Sequence, residues 1–460
     1  MSYICIVNAK AQSIMLIQFS VRNFRTFKEK ATLSLVASNY DKEREAENIS
    51  VDEKFNLRLL KSAVVYGANA SGKSKLIEAL GFMRGFAISS SRESQQGDKI
   101  PVEPFKLSSE SENAPSEFEV IFIHNGIMYR YGFEVDCDKV VSEWLYTKPK
   151  TKEVELFYRD LQQFDVHERN FSKGNMLVKE GLVRNNALLL SVAAQFNDNK
   201  AIEVLDWFKN LKLISGLKEE GYQGYTMSRT NDPNHKKKIM DLLNVADLSI
   251  QDVKIELLDL NTLPKDLPKE IRDKILKESK NEDVEFYSDI LTYHKKYNHN
   301  KEFIGMENLS MSDDESSGTR KFYALTGPIL NVLENGYTLF VDELDSKLHP
   351  NLICKLVSLF NSKTLNPKDA QLVFNTHDTN LLNSGLFRRD QIWFTEKDRY
   401  GEAKLYSLGD FKTDEVRKTE AFEDNYVKGK YGAVPYLEQF ENKVNYILND
   451  PGYADEEQKS

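Results

Sequence analysis

The sequence predicts an α/β fold: a mixed sheet with crossover helices, an antiparallel side sheet and an inserted, mainly helical subdomain. Three observations predict it. A short apolar run, Ser62–Tyr66, enters a glycine-rich turn that opens a helical pattern. A strand–turn–strand pattern covers 118–136, with His124-Asn125-Gly126 at the turn. From about residue 310, helical and strand patterns alternate, the order expected of parallel strands joined by crossover helices.

The elements follow in chain order. Residues 1–14 are mildly apolar, with no long apolar run and no cleavage site, so they read as an N-terminal extension and no secretory signal is expected. Leu16, Ile17, Phe19 and Val21 begin one strand, 31–36 make a second, and Arg22-Asn23-Phe24-Arg25 lies between them. With a helix over 73–86 and strand pattern reaching about 159, these make an N-terminal lobe, 15–160. Residues 161–309 read as the insertion. It is largely helical over 179–258, with apolar residues three and four apart in 188–195 and 201–213. A segment rich in Lys, Glu and Pro, 261–283, reads as surface-exposed. No heptad pattern persists, so no long coiled coil is expected. The C-terminal lobe, 310–440, carries helices over 318–334 and 351–360 and strands over 338–341, 371–375 and 391–394; 441–460 reads as a tail.

Composition narrows the classes. The chain has 460 residues, 40% apolar and 29% charged, which is globular and not disordered. No window supplies the roughly 18 apolar residues a membrane-spanning helix needs. Cys5, Cys137 and Cys354 lack metal or redox spacing and read as reduced thiols of a cytoplasmic protein. The net charge of −9 does not favour constitutive non-specific binding to nucleic acid. Basic runs at 235–238 and 294–301 read as solvated faces, and Tyr293-His294-Lys295-Lys296-Tyr297 as a surface loop, although a basic groove formed on dimerisation remains compatible with the charge.

Four motifs carry chemistry. Gly67-Ala68-Asn69-Ala70-Ser71-Gly72-Lys73-Ser74 fits the P-loop pattern in its required strand–turn–helix setting. Glycines let backbone N–H groups turn toward phosphate oxygens. Gly67, Asn69, Ala70, Ser71, Gly72, Lys73, Ser74 and Lys75 are therefore candidate ATP contacts, with Ser74 also offering a hydroxyl to Mg²⁺. The apolar strand before Asp342-Glu343 ends in two carboxylates: Asp342 beside Mg²⁺, Glu343 as base for the attacking water. Taken alone, the pair could simply cap the next helix. Ser316 and Gly318, in Glu315-Ser316-Ser317-Gly318-Thr319, make an anion site at a helix start, or an ordinary N-cap. His377, in Asn375-Thr376-His377-Asp378, follows the next strand and is the third catalytic candidate beside Lys73 and Glu343.

In this order the motifs resemble those of ABC-type ATPase heads of the SMC/RecF-like branch. A closer likeness is to prokaryotic AAA-type ATPases of the RloA-like kind, related to the OLD-family ATPase domains. Phe19 to Arg25, Tyr129 to Val135, Ser316 to Lys321, His349-Pro350 and the run Tyr426-Val427-Lys428-Gly429-Lys430-Tyr431-Gly432-Ala433-Val434-Pro435 also carry it. The resemblance makes Ser316 and Gly318 a degenerate signature motif serving the γ-phosphate of an opposite subunit, and His377 a switch histidine. It implies homodimers or larger assemblies through composite ATP sites, slow hydrolysis, and a setting in bacterial anti-phage defence beside a separate effector, a nuclease or toxin. Arg22 or Arg320 would add positive charge. Two departures stand out. His349 occupies the place of the D-loop aspartate and would face the dimer seam or cap the helix after it. No Q-loop glutamine is placed within 118–143.

Rival readings are a DNA-repair or DNA-binding ATPase, an ATPase fused to its own nuclease, a small kinase or GTPase, and a non-catalytic scaffold. After Pro350 no Toprim-type acidic cluster appears, the seven histidines show no paired metal pattern, and no guanine-selecting Asn-Lys-x-Asp is present. An intact Glu343 favours hydrolysis over a scaffold.

Overall fold

The computed structural model describes residues 14–93, 95–246, 249–257, 287–412, 420–435 and 440–449. The N-terminal extension, apart from Ile14, the charged segment 261–283 and the chain after 449 lie outside them.

Two large sheets enclose the P-loop helix, Lys73–Ser89. The first is the antiparallel side sheet. Its seven strands run in the order Gln163–Val166, Val154–Asp160, Val140–Lys148, Ile127–Val135, Ser116–His124, Met15–Arg22 and Ala31–Ser34. The two strands at the start of the chain and the 118–136 hairpin thus share one sheet, as Met15–Arg22 pairs with Ser116–His124. The second sheet has six strands: Lys212–Ser215, Thr338–Asp342, Gln371–Asn375, Ser62–Tyr66, Ile392–Lys397 and Ala403–Ser407. The first five are parallel, and only the last pair is antiparallel. A buried amide clips the sheets together: Gln371 accepts from the Leu16 N–H at 2.7 Å and donates to the Leu16 and Leu60 carbonyls at 3.0 and 3.1 Å.

Strand alternation explains the layering. Ala63 and Val65 face the P-loop helix and side sheet, with Leu76, Leu80 and Met83. Val64 and Tyr66 face the other way, onto the helices Ser317–Asn335 and Pro350–Asn361. On the first side aromatic rings fill the gap between helix and sheet: Phe82 meets Phe118 at 5.0 Å and Phe86 meets Phe133 at 5.6 Å.

The stretch expected to be a helical insertion divides three ways. The helices Leu189–Gln195 and Asn199–Asn210 pack into the core shared by the P-loop helix and the side sheet, where Trp207 stacks on Phe122 at 4.1 Å. Buried Glu143 fixes them to the side sheet by accepting from the Leu189 and Leu190 N–H groups at 2.7 and 3.0 Å, at a helix N-terminus that favours a carboxylate. Glu143 is thus structural, and no glutamine occurs in 118–143. Lys212–Ser215, expected to be helical, is instead an edge strand of the main sheet. The remainder carries the helices Glu220–Thr230 and Pro233–Ala246. It also carries an unexpected three-stranded antiparallel sheet, Ile250–Leu257, Tyr287–Tyr297 and Phe303–Ser310.

Helix Ser317–Asn335 runs through Pro328, which has no N–H for the carbonyl four residues earlier. That carbonyl, on Ala324, accepts instead from the Thr226 hydroxyl at 2.6 Å. Gly327 allows the approach, since a Cβ there would lie 2.4 Å from the same hydroxyl. The proline thus docks helix Glu220–Thr230 onto this helix and sets its position.

Candidate functional site

The site begins where Ser62–Tyr66 enters the P-loop. A Cβ on Gly67 would sit 2.4 Å from the Thr395 carbonyl and 2.4 Å from Ser71 Oγ, so only glycine fits. Gly72 has φ +119°, and a Cβ there would press on Ala403 and Thr26 at 3.2 Å. Gly72 is also the N-cap of the P-loop helix and supplies no capping side chain. The first-turn N–H groups therefore lack that partner, which is the donor arrangement a phosphate takes. Beside Gly72, the buried Thr26 hydroxyl has no hydrogen-bond partner. A tight cradle, an uncapped helix start and an orphaned hydroxyl fit a nucleotide phosphate chain.

Lys73 is buried, and its ammonium donates to the Gly67 and Ala68 carbonyls at 2.8 and 3.0 Å. Burial pushes its pKa down, while Glu343, Asp345 and Asp342 push it back up. Three carboxylates therefore act on the P-loop lysine, although more than 260 residues of sequence separate them from it.

Asn375 sets two of those carboxylates. Buried at the end of its strand, it donates to Asp342 Oδ1 at 2.5 Å and accepts from the Glu343 N–H at 2.6 Å. Glu343 has φ +54°. That left-handed conformation costs a non-glycine residue about 1–2 kcal/mol, and the Asn375 contact offsets it. Gly216, just past the edge strand, donates to the Asp342 carbonyl at 2.6 Å. On the other side of the turn Lys321 is fully buried and donates to the carbonyls of Glu343, Leu344 and Ser346 at 3.2, 3.1 and 2.5 Å. Asp345 accepts from the His377 N–H at 3.0 Å, which joins the carboxylate turn to the histidine turn.

Sequence reasoning named Lys73, Asp342, Glu343 and His377, and the structure brings them to one end of the main sheet. Ser74 opens the P-loop helix; its hydroxyl and the Asp342 carboxylate are oxygen donors of the type Mg²⁺ takes. Asn69 and Ala70 are exposed on the loop. Ser71 turns its hydroxyl to Thr395 at 2.7 Å. Arg22 pairs with Glu117 and Glu134 of the side sheet at 3.0 and 2.8 Å. Arg25, three residues on, reaches the P-loop helix through Glu78 at 3.2 Å. Lys75 is likewise held by Glu78 at 2.7 Å.

Ser316 is the exposed N-cap of its helix and accepts from the Thr319 N–H at 3.1 Å. Gly318 lies against the Lys347 carbonyl, which a Cβ would approach to 2.9 Å. The 315–319 turn thus rests on its own carboxylate loop. Arg320 donates to the Ser312 carbonyl. His349 caps the helix Pro350–Asn361, its Nδ1 accepting from the Asn351 N–H at 3.2 Å. Asn375, Lys321, Gly216 and Asp345 had no assigned role in the sequence reading. Lys321 had the clearest signal: a lysine immediately before the apolar run Phe322-Tyr323-Ala324-Leu325.

A P-loop at the end of a parallel strand, with a carboxylate strand and a histidine turn beside it, defines a P-loop NTPase head with an α/β core. The family model described as "AAA domain, putative AbiEii toxin, Type IV TA system" matches residues 62–383. The chain belongs to that family. Its structure is similar to an SMC head bound to the C-winged helix domain of ScpA, at 10% identity, 85% of this chain, 97% of that chain and TM-score 0.42. The SMC head domain from Thermotoga maritima matches at 11% identity, 85% and 98% coverage and TM-score 0.37. A further Smc head, with an extended coiled coil and bound to the C-terminal domain of ScpA derived from Pyrococcus furiosus, matches at 13% identity, 86% and 96% coverage and TM-score 0.35. No curated protein matches the chain. Among the described residues, no helix is long and apolar enough to cross a membrane.

Proposed function

We propose that the chain is an ATPase that hydrolyses ATP with Mg²⁺ in composite sites shared by two copies. The arrangement that carries this reading is the pair Asp342 and Glu343, clamped by Asn375 around buried Lys73. Lys73 and the loop N–H groups bind the phosphates; Mg²⁺, held by Ser74 and Asp342, supplies charge neutralisation when bound. Glu343 takes a proton from the attacking water, and His377 stands at the terminal-phosphate end. The chemistry is positioning and charge stabilisation. The exposed Ser316 turn rests on its own Lys347 loop, which supports a role toward a second copy's P-loop. A two-fold interface presents that turn twice.

The setting we propose is bacterial defence, with a separate effector acting as nuclease or toxin. The family's description, a toxin of a toxin–antitoxin system, is a setting of the same kind. The narrower likeness to RloA-like and OLD-related ATPases points the same way.

The test is the solution mass of Glu343→Gln with and without ATP and Mg²⁺, beside wild-type turnover. ATP should raise the mass, and Ser316→Arg should abolish the rise. Normal turnover in Ser316→Arg would sink the composite site.

A further inference from the structure

The run from Tyr426 to Pro435 entered the sequence reading through resemblance alone; its place in the fold gives it work. Tyr426 lies near the end of the short helix Phe422–Val427, its ring 5.4 Å from Phe394 and 5.6 Å from Tyr66. Its hydroxyl donates to the Ala433 carbonyl at 3.1 Å, closing the run into a strap. Tyr431 is buried, and its carbonyl accepts from the Tyr406 hydroxyl at 2.8 Å. Gly432 has φ +73°, and a Cβ there would meet that hydroxyl at 2.7 Å. The Ala433 N–H donates to Glu396 at 3.2 Å. The strap is therefore pinned to Ile392–Lys397, which neighbours the P-loop strand, and to Ala403–Ser407, the edge strand beyond it.

Pinned there, the strap forms one wall of a cavity of ≈ 510 Å³, whose other walls are the first P-loop residues and the Thr376–His377 turn. Among the described residues that line it, Lys428 supplies a positive charge and none is acidic. Lys430 is committed to Glu420 at 2.6 Å. Lys428 is exposed, and among the described residues it forms no ion pair within 4.0 Å. An ammonium with no ion partner among the described residues, in a cavity that opens on a phosphate-binding loop, suits an anion. His377 and the carboxylate strand mark this as the end where the terminal phosphate reacts.

We infer that the strap is a wall of the ATP site and that Lys428 contacts the terminal phosphate within the same chain, so that the strap separates ATP from ADP. The inference rests on the ATP reading above. Its test is equilibrium binding of fluorescently labelled ATP and ADP, with Mg²⁺, to full-length Glu343→Gln protein. Lys428→Ala, Lys428→Arg and Lys73→Ala are compared in that background. Lys428→Ala should weaken ATP about tenfold and ADP less than twofold, with Lys428→Arg recovering most of the loss. Lys73→Ala should weaken both. Unchanged or equally weakened binding in Lys428→Ala would overturn the inference and leave the ATP reading intact. If the parent binds neither nucleotide, both fall. Repeating the comparison with Ser316→Arg present places the contact: a selective loss that vanishes there belongs to a second copy and overturns the same-chain contact.

Discussion

The carboxylate of Glu315 accepts a hydrogen bond from His294 Nε2 at 2.7 Å, tying the residue before the Ser316 turn to the middle strand of the three-stranded sheet. Thr292 on the same strand donates to the same oxygen at 2.6 Å. The carboxylate is largely buried, so these donors stand in for water. The added sheet is thereby linked to the turn proposed to close on a second copy. His294→Ala should cost about 1–2 kcal/mol in denaturant unfolding. If the link also sets the turn, ATP turnover per folded molecule falls severalfold while ATP affinity holds. Unchanged turnover would reduce the pair to a structural tie.

Asn375 serves two groups at once, so its removal should damage chemistry more than binding. Asn375→Ala frees Asp342 Oδ1 and the Glu343 N–H together. Loss of a preorganising contact of this kind costs about 10²–10³ in kcat. Turnover is expected to drop about a hundredfold, with the ATP dissociation constant changed by less than about threefold. A matching loss of affinity would show that Asn375 holds the P-loop and not the carboxylate turn.

Gly216 makes the edge strand part of the site. A Cβ there would lie 2.0 Å from the Glu343 carbonyl and 2.8 Å from that of Asp342. The backbone carrying both carboxylates must move to admit Gly216→Ala. Overpacking of this sort costs about 1–3 kcal/mol. Turnover should fall at least tenfold under conditions where the variant is folded, because sub-ångström placement decides such chemistry. Wild-type turnover would mean that the carboxylates tolerate displacement.

Several strands and helices were legible because each depends on local pattern. Ser62–Tyr66, the helix after Gly72 and the strand Gln371–Asn375 announce themselves by apolar runs beside glycine or polar breaks. Lys212–Ser215 did not, because four half-buried residues after an amphipathic helix continue its pattern, and only the neighbour Thr338–Asp342 makes them a strand. Ile250–Leu257 was hidden likewise, since its partners come from beyond 286. In the site, Lys73 and Glu343 carry motif signals. Asn375, Gly216 and Lys321 act through contacts between distant segments, which spacing does not encode. The partners of Arg22, Glu117 and Glu134, likewise come from strands 95 and more residues away.

Lys321 yields a prediction in which stability and activity move in opposite directions with pH. Burial pushes its ammonium down to about 8 from an ordinary 10.5. The folded chain therefore sheds this proton at a pH where the unfolded chain keeps it. Wherever the unfolded state binds more protons, stability rises with pH, so this group adds stability from about pH 8 to about 10.5. Between pH 7.5 and 9.5 the gain over Lys321→Met should be about 1–2 kcal/mol, read from denaturant midpoints. The three carbonyls that accept from the ammonium meanwhile lose a donor. The turn that carries Glu343 is then held less firmly, and wild-type turnover per folded molecule should decline above about pH 8. Lys321→Met should show neither trend. A parallel rise of stability in wild type and Lys321→Met would assign the pH dependence to other groups.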